Sequence, residues 1–520
     1  MKKLMKKILI LAVTALLATS LTACNGNGGA DGGLEDFTFI ARIGGDPSSF
    51  HPNRIADDFG WPIYQNIFNR LVKLGPNDNV LPDLAYDWHF SEDGLTLTFH
   101  LHQGVYWHDG TPFTSSDVQW TYETLIAETW MASTRLAAID SIDTPDDYTV
   151  VMNLSIADAS LVSQLAWIST FVMPRHLYEG TDQTTNPHNL SPVGTGPFRF
   201  VSWDTGVSVT LERNENFWGH VPYIQTLIFA IISDDHTAFQ ALVNGEIDFM
   251  GALPVAHIND LDDNPDFVIH DQLWINRTYV TFNADSEIFS DPLVRRAVAY
   301  AINQQSIVDR VGGAGSVART FISPLFTDFV TFDYTMPPTD LDRAVELLEE
   351  AGFERDANGV FFETTFTIFE SGNFVDVATI VQANLRLVGI EVRIEVMEMA
   401  AWVTTVLEDA NFEMAMLAGY QGPDVIGIAG RVQTGGATNV MRYSNPVLDE
   451  LIMEARVVTD LDARRAIFRD IQRILYEDLP MILIIDGAGR TPLSTRFVGF
   501  PMQVDGAAAN EFTFVRKVSH

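Results

Sequence analysis

The sequence of 520 residues contains a single cysteine, Cys24, which stands ahead of the folded part of the chain. A fold that starts after Cys24 has no disulfide and no thiolate metal site. A chain of this size must then depend on a large hydrophobic core. Its composition, 47% hydrophobic, 11% aromatic and 19% charged, is typical of a globular protein. The roughly 490 residues beyond the leader predict two or more lobes.

Positive charge is also scarce, because 32 lysines and arginines face 68 acidic residues and the net charge is −36. Removal of the four lysines within residues 2–7 takes the net charge to −40 and leaves only Lys73 and Lys517 as lysines. Such an acidic surface argues against nucleic acid or anionic lipid as a partner. Since the acidic residues are spread along the chain, they indicate a solvated exterior and not a cation-binding patch.

Long hydrophobic runs are absent after the leader, where no segment reaches 18 consecutive apolar residues. The leader joins basic residues 2–7 to an apolar stretch, 8–18, that is too short to span a membrane. The motif Leu-Thr-Ala-Cys that ends at Cys24 resembles the bacterial lipobox. We predict a lipoprotein signal peptide over 1–23, lipidation of Cys24 and a flexible Gly-rich tether over 24–35. The alternative is an ordinary signal peptide with an incidental cysteine.

The remaining pattern is mixed α and β. Residues 226–232 (TLIFAII) predict a buried strand, 234–245 a short helix and 247–251 (IDFMG) the next strand, a β-α-β unit. By contrast, residues 80–155 are rich in strand and turn signals, including the turn at Asp109-Gly110.

The second half predicts further helices with clear boundaries. One spans 290–310, with a cap at Ser290 or Asp291 and Pro292 in its first turn. A second has an apolar face and ends at Gly352. Two more are broken near Asp460, and they are followed by the strand MILII. The stretches FTIFES and IEVRIEVMEM alternate like strands. This half is therefore α/β.

Several motifs together resemble one family, the solute-binding proteins of bacterial oligopeptide, dipeptide and nickel ABC importers (family 5). Each motif is weak alone, but they occur in the family's order behind a lipobox. They are the block at 81–123, PVGTGPFRFVSWDTG at 192–206, RNENFWG at 213–219, LVNGEIDFMG at 242–251, YVTFNADSEIFSDPLVRRAVAYAIN at 279–303 and YSNPVLDELIMEAR at 443–456.

The resemblance implies an α/β, two-lobed fold of the periplasmic-binding-protein type (type II, the large peptide-binding class) with a hinge of paired strands. It also implies an inserted, strand-rich subdomain, which agrees with the pattern of 80–155. The expected segments are 36–75, 195–272 and 485–520 for lobe I, 76–194 for its inserted subdomain, and 273–484 for lobe II.

In this family the main ligand-binding loop falls where residues 412–446 lie here. Asp424 is the implied partner of a peptide α-ammonium, but the match is imperfect, because Pro423 can equally occupy the anchor position. A turn-forming role for Asp424 is the alternative. The other implied ligand contacts are Gly419, Tyr420, Gln421, Gly422, Arg431 and Asn439 in this loop, and Gly45 and Phe50 in the loop 43–52 of the other lobe.

Other motifs do not complete a site. His100, His102 and His108 suggest a metal, but neither a cysteine nor a third close ligand accompanies them. The Gly-rich stretch 311–318 follows a helix, whereas a dinucleotide fingerprint follows a strand. We therefore expect no metal, no cofactor and no catalytic residue. A pair of carboxylates at glycosidase spacing is left open by the sequence.

The resemblance implies a monomeric extracytoplasmic binding protein that takes a peptide between two lobes and delivers it to an ABC permease. We expect it to be lipid-anchored on the outer face of a Gram-positive-type membrane or in a periplasm. The same fold with an oligosaccharide, opine or nickel chelate as cargo is the first alternative. A secreted lipoprotein hydrolase is the alternative from another class.

Overall fold

Strands form where β-branched and aromatic residues alternate with polar ones. The computed structural model describes residues 36–54, 57–75, 79–128, 130, 132–311, 313–370, 373–436, 438–500 and 511–518. The predicted signal peptide, the predicted lipidation site Cys24 and the predicted tether lie outside the described residues. The strands are β1 (Thr38–Ile43), β2 (Val72–Leu74), β3 (Val80–Pro82), β4 (Ala85–Phe90), β5 (Thr96–Leu101), β6 (Ile139–Asp146), β7 (Thr149–Leu154), β8 (Phe198–Asp204), β9 (Ser208–Arg213), β10 (Thr226–Ile231), β11 (Phe267–Phe282), β12 (Ser316–Val317), β13 (Phe362–Phe369), β14 (Ile390–Met397), β15 (Met414–Tyr420), β16 (Met481–Ser494), β17 (Phe497–Val498) and β18 (Arg516–Lys517).

The α-helices begin mostly at Asp or Asn caps or at prolines in the first turn. They are α1 (Trp61–Ile67), α2 (Ser115–Ala127), α3 (Leu161–Leu165), α4 (Arg175–Tyr178), α5 (Asp235–Val243), α6 (Pro292–Ala301), α7 (Gln304–Val311), α8 (Leu341–Glu350), α9 (Phe374–Leu387), α10 (Met399–Trp402), α11 (Ala429–Val432), α12 (Pro446–Val457) and α13 (Leu461–Asp478). Short 3₁₀ turns span Ser133–Leu136, Pro187–Asn189, Val255–His257 and Val425–Ile428, and a π-helical turn spans Val403–Glu408.

The first sheet has the strand order β1-β10-β9-β8, with β1 parallel to β10. The predicted strand and helix at 226–245 are present as β10 and α5, and the side chain of Asp234 accepts a hydrogen bond from the Thr237 N–H. The strand predicted at 247–251 is wrong in extent. It is reduced to one parallel bridge between Phe249 and Ala41, because the Asp248 side chain takes the Ile40 N–H that a longer ladder would need.

The second sheet has the order β12-β16-β11-β15-β13-β14. The two stretches predicted as strands are present as β13 and β14, which are parallel and are joined by α9. The third sheet, β4-β5-β7-β6, is antiparallel and lies within the strand-rich region 80–155. The fold is therefore α/β and two-lobed, as the resemblance implies. The predicted boundaries of the lobes stay a prediction.

The single helix predicted over 290–310 is two helices, α6 and α7. Asp291 caps α6 through a hydrogen bond from the Leu293 N–H, at 2.8 Å. The chain leaves the helical conformation at Ile302 (ψ 123°), and Asn303 accepts the Ser306 N–H at the start of α7. The predicted break near Asp460 is confirmed, since Asp460 caps α13 through the Ala463 N–H.

Two long strands of the second sheet, β11 and β16, run antiparallel to each other, and the outer part of β16 contacts the segment that follows the Phe249 bridge to β1, where the Leu253 N–H donates to the Arg490 carbonyl. Their outer parts pair from Phe267↔Ser494 to Leu273↔Ala488, and their inner parts from Arg277↔Asp486 onward. Between these parts the ladder is irregular, because residues 274–276 face the single residue Gly487. A break in a two-stranded connection permits bending, so this point is the candidate hinge.

The buried hydrophobic residues form separate clusters around the sheets. One cluster of buried residues lies around β1, β9 and β10 and includes Phe39, Phe229 and the C-terminal Phe512. A larger cluster joins the third sheet to the β11–β16 sheet. Among the described residues, no helix has both the length and the apolar character needed to cross a bilayer.

Candidate ligand-binding site

The C-terminal end of β15 is an exposed strand end beside the candidate hinge. On one side β15 pairs with β11 along its whole length, up to Asn276↔Tyr420. On the other side β13 pairs only with Met414 and Ala415. Ala418 and Tyr420 are exposed, Tyr420 to 63%. Beyond Ala415, Met416 and Leu417 are still buried, so the exposed strand end consists of residues 418–420, and its edge offers backbone groups to an extended ligand.

Arg431, predicted as a ligand contact, holds this strand end in place. Its Nη2 donates to the Tyr420 carbonyl at 2.6 Å and its Nε to the Tyr279 hydroxyl at 3.1 Å. A Cβ on Gly419 would lie 2.7 Å from the Arg431 Nη2. The absence of a side chain at Gly419 therefore permits the approach of the guanidinium, which is why this position requires glycine.

Gln421 and Gly422 were predicted to contact ligand, but they form part of the packing beneath the loop. Gln421 is 4% exposed. It accepts the Ser323 N–H at 2.8 Å and donates to the Phe321 carbonyl at 2.6 Å. A Cβ on Gly422 would lie 2.3 Å from Ile275 and 3.9 Å from Trp167 of the third sheet's subdomain. These two residues fix the loop and leave little surface of their own.

Asp424, the predicted ammonium anchor, is buried and paired with a cation of the protein itself. Its two carboxylate oxygens accept from Arg464, at 2.6 and 3.0 Å, and one of them also caps the turn through the Ile426 N–H. Both side chains are only 8% exposed. These donors occupy three of the roughly four lone-pair positions of the carboxylate, and its charge is already paired with Arg464, so the geometry favours the turn-forming alternative.

The remaining predicted contacts differ in their exposure. Phe50 is fully buried against Phe200 and Trp203 in the first lobe, so it presents no surface to a ligand here. Asn439 donates to the carbonyls of Gln433 and Tyr443 and supports the loop from behind.

Gly45 lies under an aromatic ring that the sequence did not single out. A Cβ on Gly45 would come within 2.7 Å of the ring of Phe59, which is 42% exposed. Gly45 therefore permits Phe59 to lie flat against the loop 43–52. The signal was an aromatic residue in the polar run DDFGW.

Sequence reasoning also missed the ion pair between Arg277 on β11 and Asp486 on β16 at the candidate hinge. Both residues are buried, and Arg277 also donates to the Phe321 carbonyl. Burial raises the pKa of Asp486 and lowers the pKa of Arg277, while the ion pair opposes both shifts. The signal was a lone arginine in an otherwise uncharged strand, WINRTYVTF.

Comparisons with known proteins agree with this architecture. The family model described as "Bacterial extracellular solute-binding proteins, family 5 Middle" matches residues 79–426. The oligopeptide-binding protein AppA of Bacillus subtilis is 28% identical over 510 residues, which cover 92% of this chain and 93% of AppA. Heme-binding protein A of Haemophilus influenzae is 27% identical, with 89% of each chain covered.

A similar solved structure is the periplasmic binding protein DppA of Helicobacter pylori in complex with the peptide STSA. It is 25% identical, superposes with a TM-score of 0.74, and the match covers 93% of this chain and 98% of DppA.

Proposed function

This chain belongs to the bacterial extracellular solute-binding proteins of family 5, and from that premise we propose that it captures peptides and delivers them to an ABC permease. Its relatives include an oligopeptide-binding protein matched over nearly its whole length. In our proposal a peptide lies between the lobes, and its contacts with both of them favour the closed state.

The observation that carries the proposal is the exposed end of β15. A peptide strand placed along residues 418–420 would continue the sheet beyond Met414 and Ala415, the two residues that β13 pairs. Main-chain hydrogen bonds of this kind are insensitive to peptide sequence, and pockets for side chains then add selectivity. We propose Gly419, Tyr420, Arg431 and Gly45 as the site's surface, with Phe59 beside Gly45. Asp424 has a structural role in this proposal.

We further propose that the protein is a monomer, that it is not an enzyme, and that it releases its ligand unchanged. The lobes are proposed to divide at 272/273 and 484/485, next to the irregular pairing of β11 and β16. Lipidation of Cys24, in the motif that resembles a lipobox, would keep the receptor near its permease, which raises the effective concentration to the millimolar range. A Cys24→Ser variant found in the membrane fraction as fully as the wild type would contradict the anchor.

The experiment that tests peptide capture is a thermal unfolding series with defined peptides. A ligand at 100 times its Kd stabilises a protein by about 2.7 kcal/mol, so the melting temperature should rise clearly. The matched control is the same peptide with methylated backbone nitrogens. This analogue keeps the side chains of the peptide but loses its main-chain hydrogen-bond donors. We expect this analogue to give little or no rise.

The control ligands are neutral oligosaccharides of similar size. A rise with oligosaccharides and none with any peptide would contradict peptide capture. Mass spectrometry of the peptide after incubation with the protein checks whether the peptide is released unchanged. A cleaved product would contradict that part of the proposal.

A further inference from the structure

A cluster of metal-ligating side chains lies on the third sheet, away from the β15 strand end. Asp87 and His89 lie on β4 and His100 lies on β5. One ligand atom from each of them falls within 4.8 Å of the other two. The sequence pattern had grouped His100 with His102 and His108, so His89 and Asp87 are partners that only the fold reveals.

The register of β4 and β5 brings these residues together. Asp87 lies directly opposite His100, and His89 lies opposite Thr98 and therefore diagonal to His100. Alternate residues of a strand share one face, and the opposite face is the buried one that carries Phe99. The imidazole rings of His89 and His100 lie 5.9 Å apart between centroids, with 28° between their planes.

The three side chains are also available, in contrast to the other histidines of the predicted group. Within the described residues, the side chains of Asp87, His89 and His100 make no hydrogen bond and no ion pair. His102 instead packs against Trp218, with 4.9 Å between ring centroids. His108 is engaged by backbone groups of the Gly-Thr-Gly-Pro turn.

From this geometry we propose that Asp87, His89 and His100 bind one divalent cation of the zinc class, Zn²⁺, Ni²⁺ or Cu²⁺. Two imidazoles and one carboxylate are a ligand set that these ions accept, with open positions left for water. Mg²⁺ and Ca²⁺ require more oxygen ligands than this cluster has. This revises the expectation of no metal site.

The site needs only a small adjustment to close on an ion. Ligand atoms around a tetrahedral Zn²⁺ are about 3.3 Å apart, which follows from bond lengths of about 2.0–2.1 Å. Asp87 and His89 are exposed and His100 is half-buried, so rotation about their side-chain bonds can bring the atoms closer without moving the backbone. The net charge of −36 favours the approach of any cation.

The test is titration calorimetry of the full chain carrying Cys24→Ser, which removes the chain's one thiol as a competing ligand. We expect one equivalent of Zn²⁺ to bind per chain. His89→Ala and His100→Ala should each abolish the saturable signal, and Asp87→Asn should weaken it at least tenfold. Acidification should release the ion, because only neutral imidazole binds a metal.

The matched control is His102→Ala, which removes the histidine that directly follows β5 but leaves the proposed ligands. It should bind Zn²⁺ like the parent. A second measurement needs no variant at the site: Zn²⁺ should protect His89 and His100, but not His102, from diethylpyrocarbonate. Retained binding in the His89→Ala/His100→Ala double variant, no saturable binding in the parent, or protection of His102 alone would each overturn the proposal.

Discussion

Arg464 holds both carboxylate oxygens of Asp424, with its Nη2 at 2.6 Å from Oδ1 and its Nη1 at 3.0 Å from Oδ2. The Arg464 Nε donates in addition to the Ala455 carbonyl. This pair ties the loop after β15 to helix α13, and it is buried on both sides. The loop that the family uses for ligand is thus anchored from below by the acid that the sequence suggested as a ligand group.

The first prediction concerns the loss of this carboxylate. Asp424→Ala leaves the guanidinium of Arg464 buried without its partner, which costs about 3–5 kcal/mol in comparable buried pairs. We expect the free energy of unfolding to fall by that amount in urea titrations. Peptides with a free amino terminus and N-acetylated peptides should lose affinity by the same factor.

A double variant separates the two roles of Asp424. Asp424→Ala/Arg464→Leu removes both charges, and it should regain part of the stability because no unpaired charge stays buried. A selective loss of affinity for free amino termini, present in both the single and the double variant, would restore Asp424 as the ammonium anchor.

The second prediction concerns Gly419. A Cβ there would lie 2.7 Å from the Arg431 Nη2, so Gly419→Ala must displace the guanidinium from the Tyr420 carbonyl. Hydrogen bonds of charged donors contribute about 1.5–3 kcal/mol, and we expect a loss of stability near the lower end of that range, together with weaker peptide binding.

The matched control for Gly419 is Gly251→Ala, since a Cβ at Gly251 would meet nothing within 4 Å. Arg431→Ala should cause much of the same loss. The double variant Gly419→Ala/Arg431→Ala should then be less destabilised than the sum of the single variants. Full additivity of the two losses would show that Gly419 does not act through Arg431.

Local patterns predicted much of the fold. The cap at Ser290 or Asp291 and the break near Asp460 were recognised because a capping side chain and the N–H groups that it accepts are two or three residues apart. Contacts between distant parts of the chain were not recognised. Asp424 and Arg464 are forty positions apart, and no local pattern states that a loop residue and a helix residue will meet.

The metal-ligating cluster shows the same limit in a sheet. His100 and His102 were grouped because they share a strand face, and that part of the argument uses only spacing. His89 belongs to the neighbouring strand β4, and its distance from His100 depends on the register of β4 and β5. The irregularity in their pairing between Ala85 and Asp87 sets that register, and it is a property of the assembled sheet.

The third prediction is a pH dependence from His108. Its Nε2 donates to the Gly196 carbonyl at 3.0 Å, and its Nδ1 accepts the Gly194 N–H at 3.2 Å. Burial lowers the pKa of His108 from 6.5 to about 4. The folded chain therefore keeps the ring neutral, whereas the unfolded chain takes up a proton as the pH falls below 6.5. Stability is complete above pH 6.5 and is lost as the pH falls toward 4.

His108→Gln removes this titration and keeps a polar side chain of similar reach. We expect the wild type to lose about 2–3 kcal/mol more than the variant between about pH 7 and about pH 4.5 in urea unfolding series. Burial also lowers the pKa of His51 to about 4, but that residue is present in both proteins and its contribution cancels in the difference. His220→Gln, at an exposed ring, should follow the wild type. Parallel pH profiles for His108→Gln and the wild type would mean that the ring takes up its proton over the same pH range in the folded and the unfolded chain, and the Gly194 N–H would then require another acceptor at low pH.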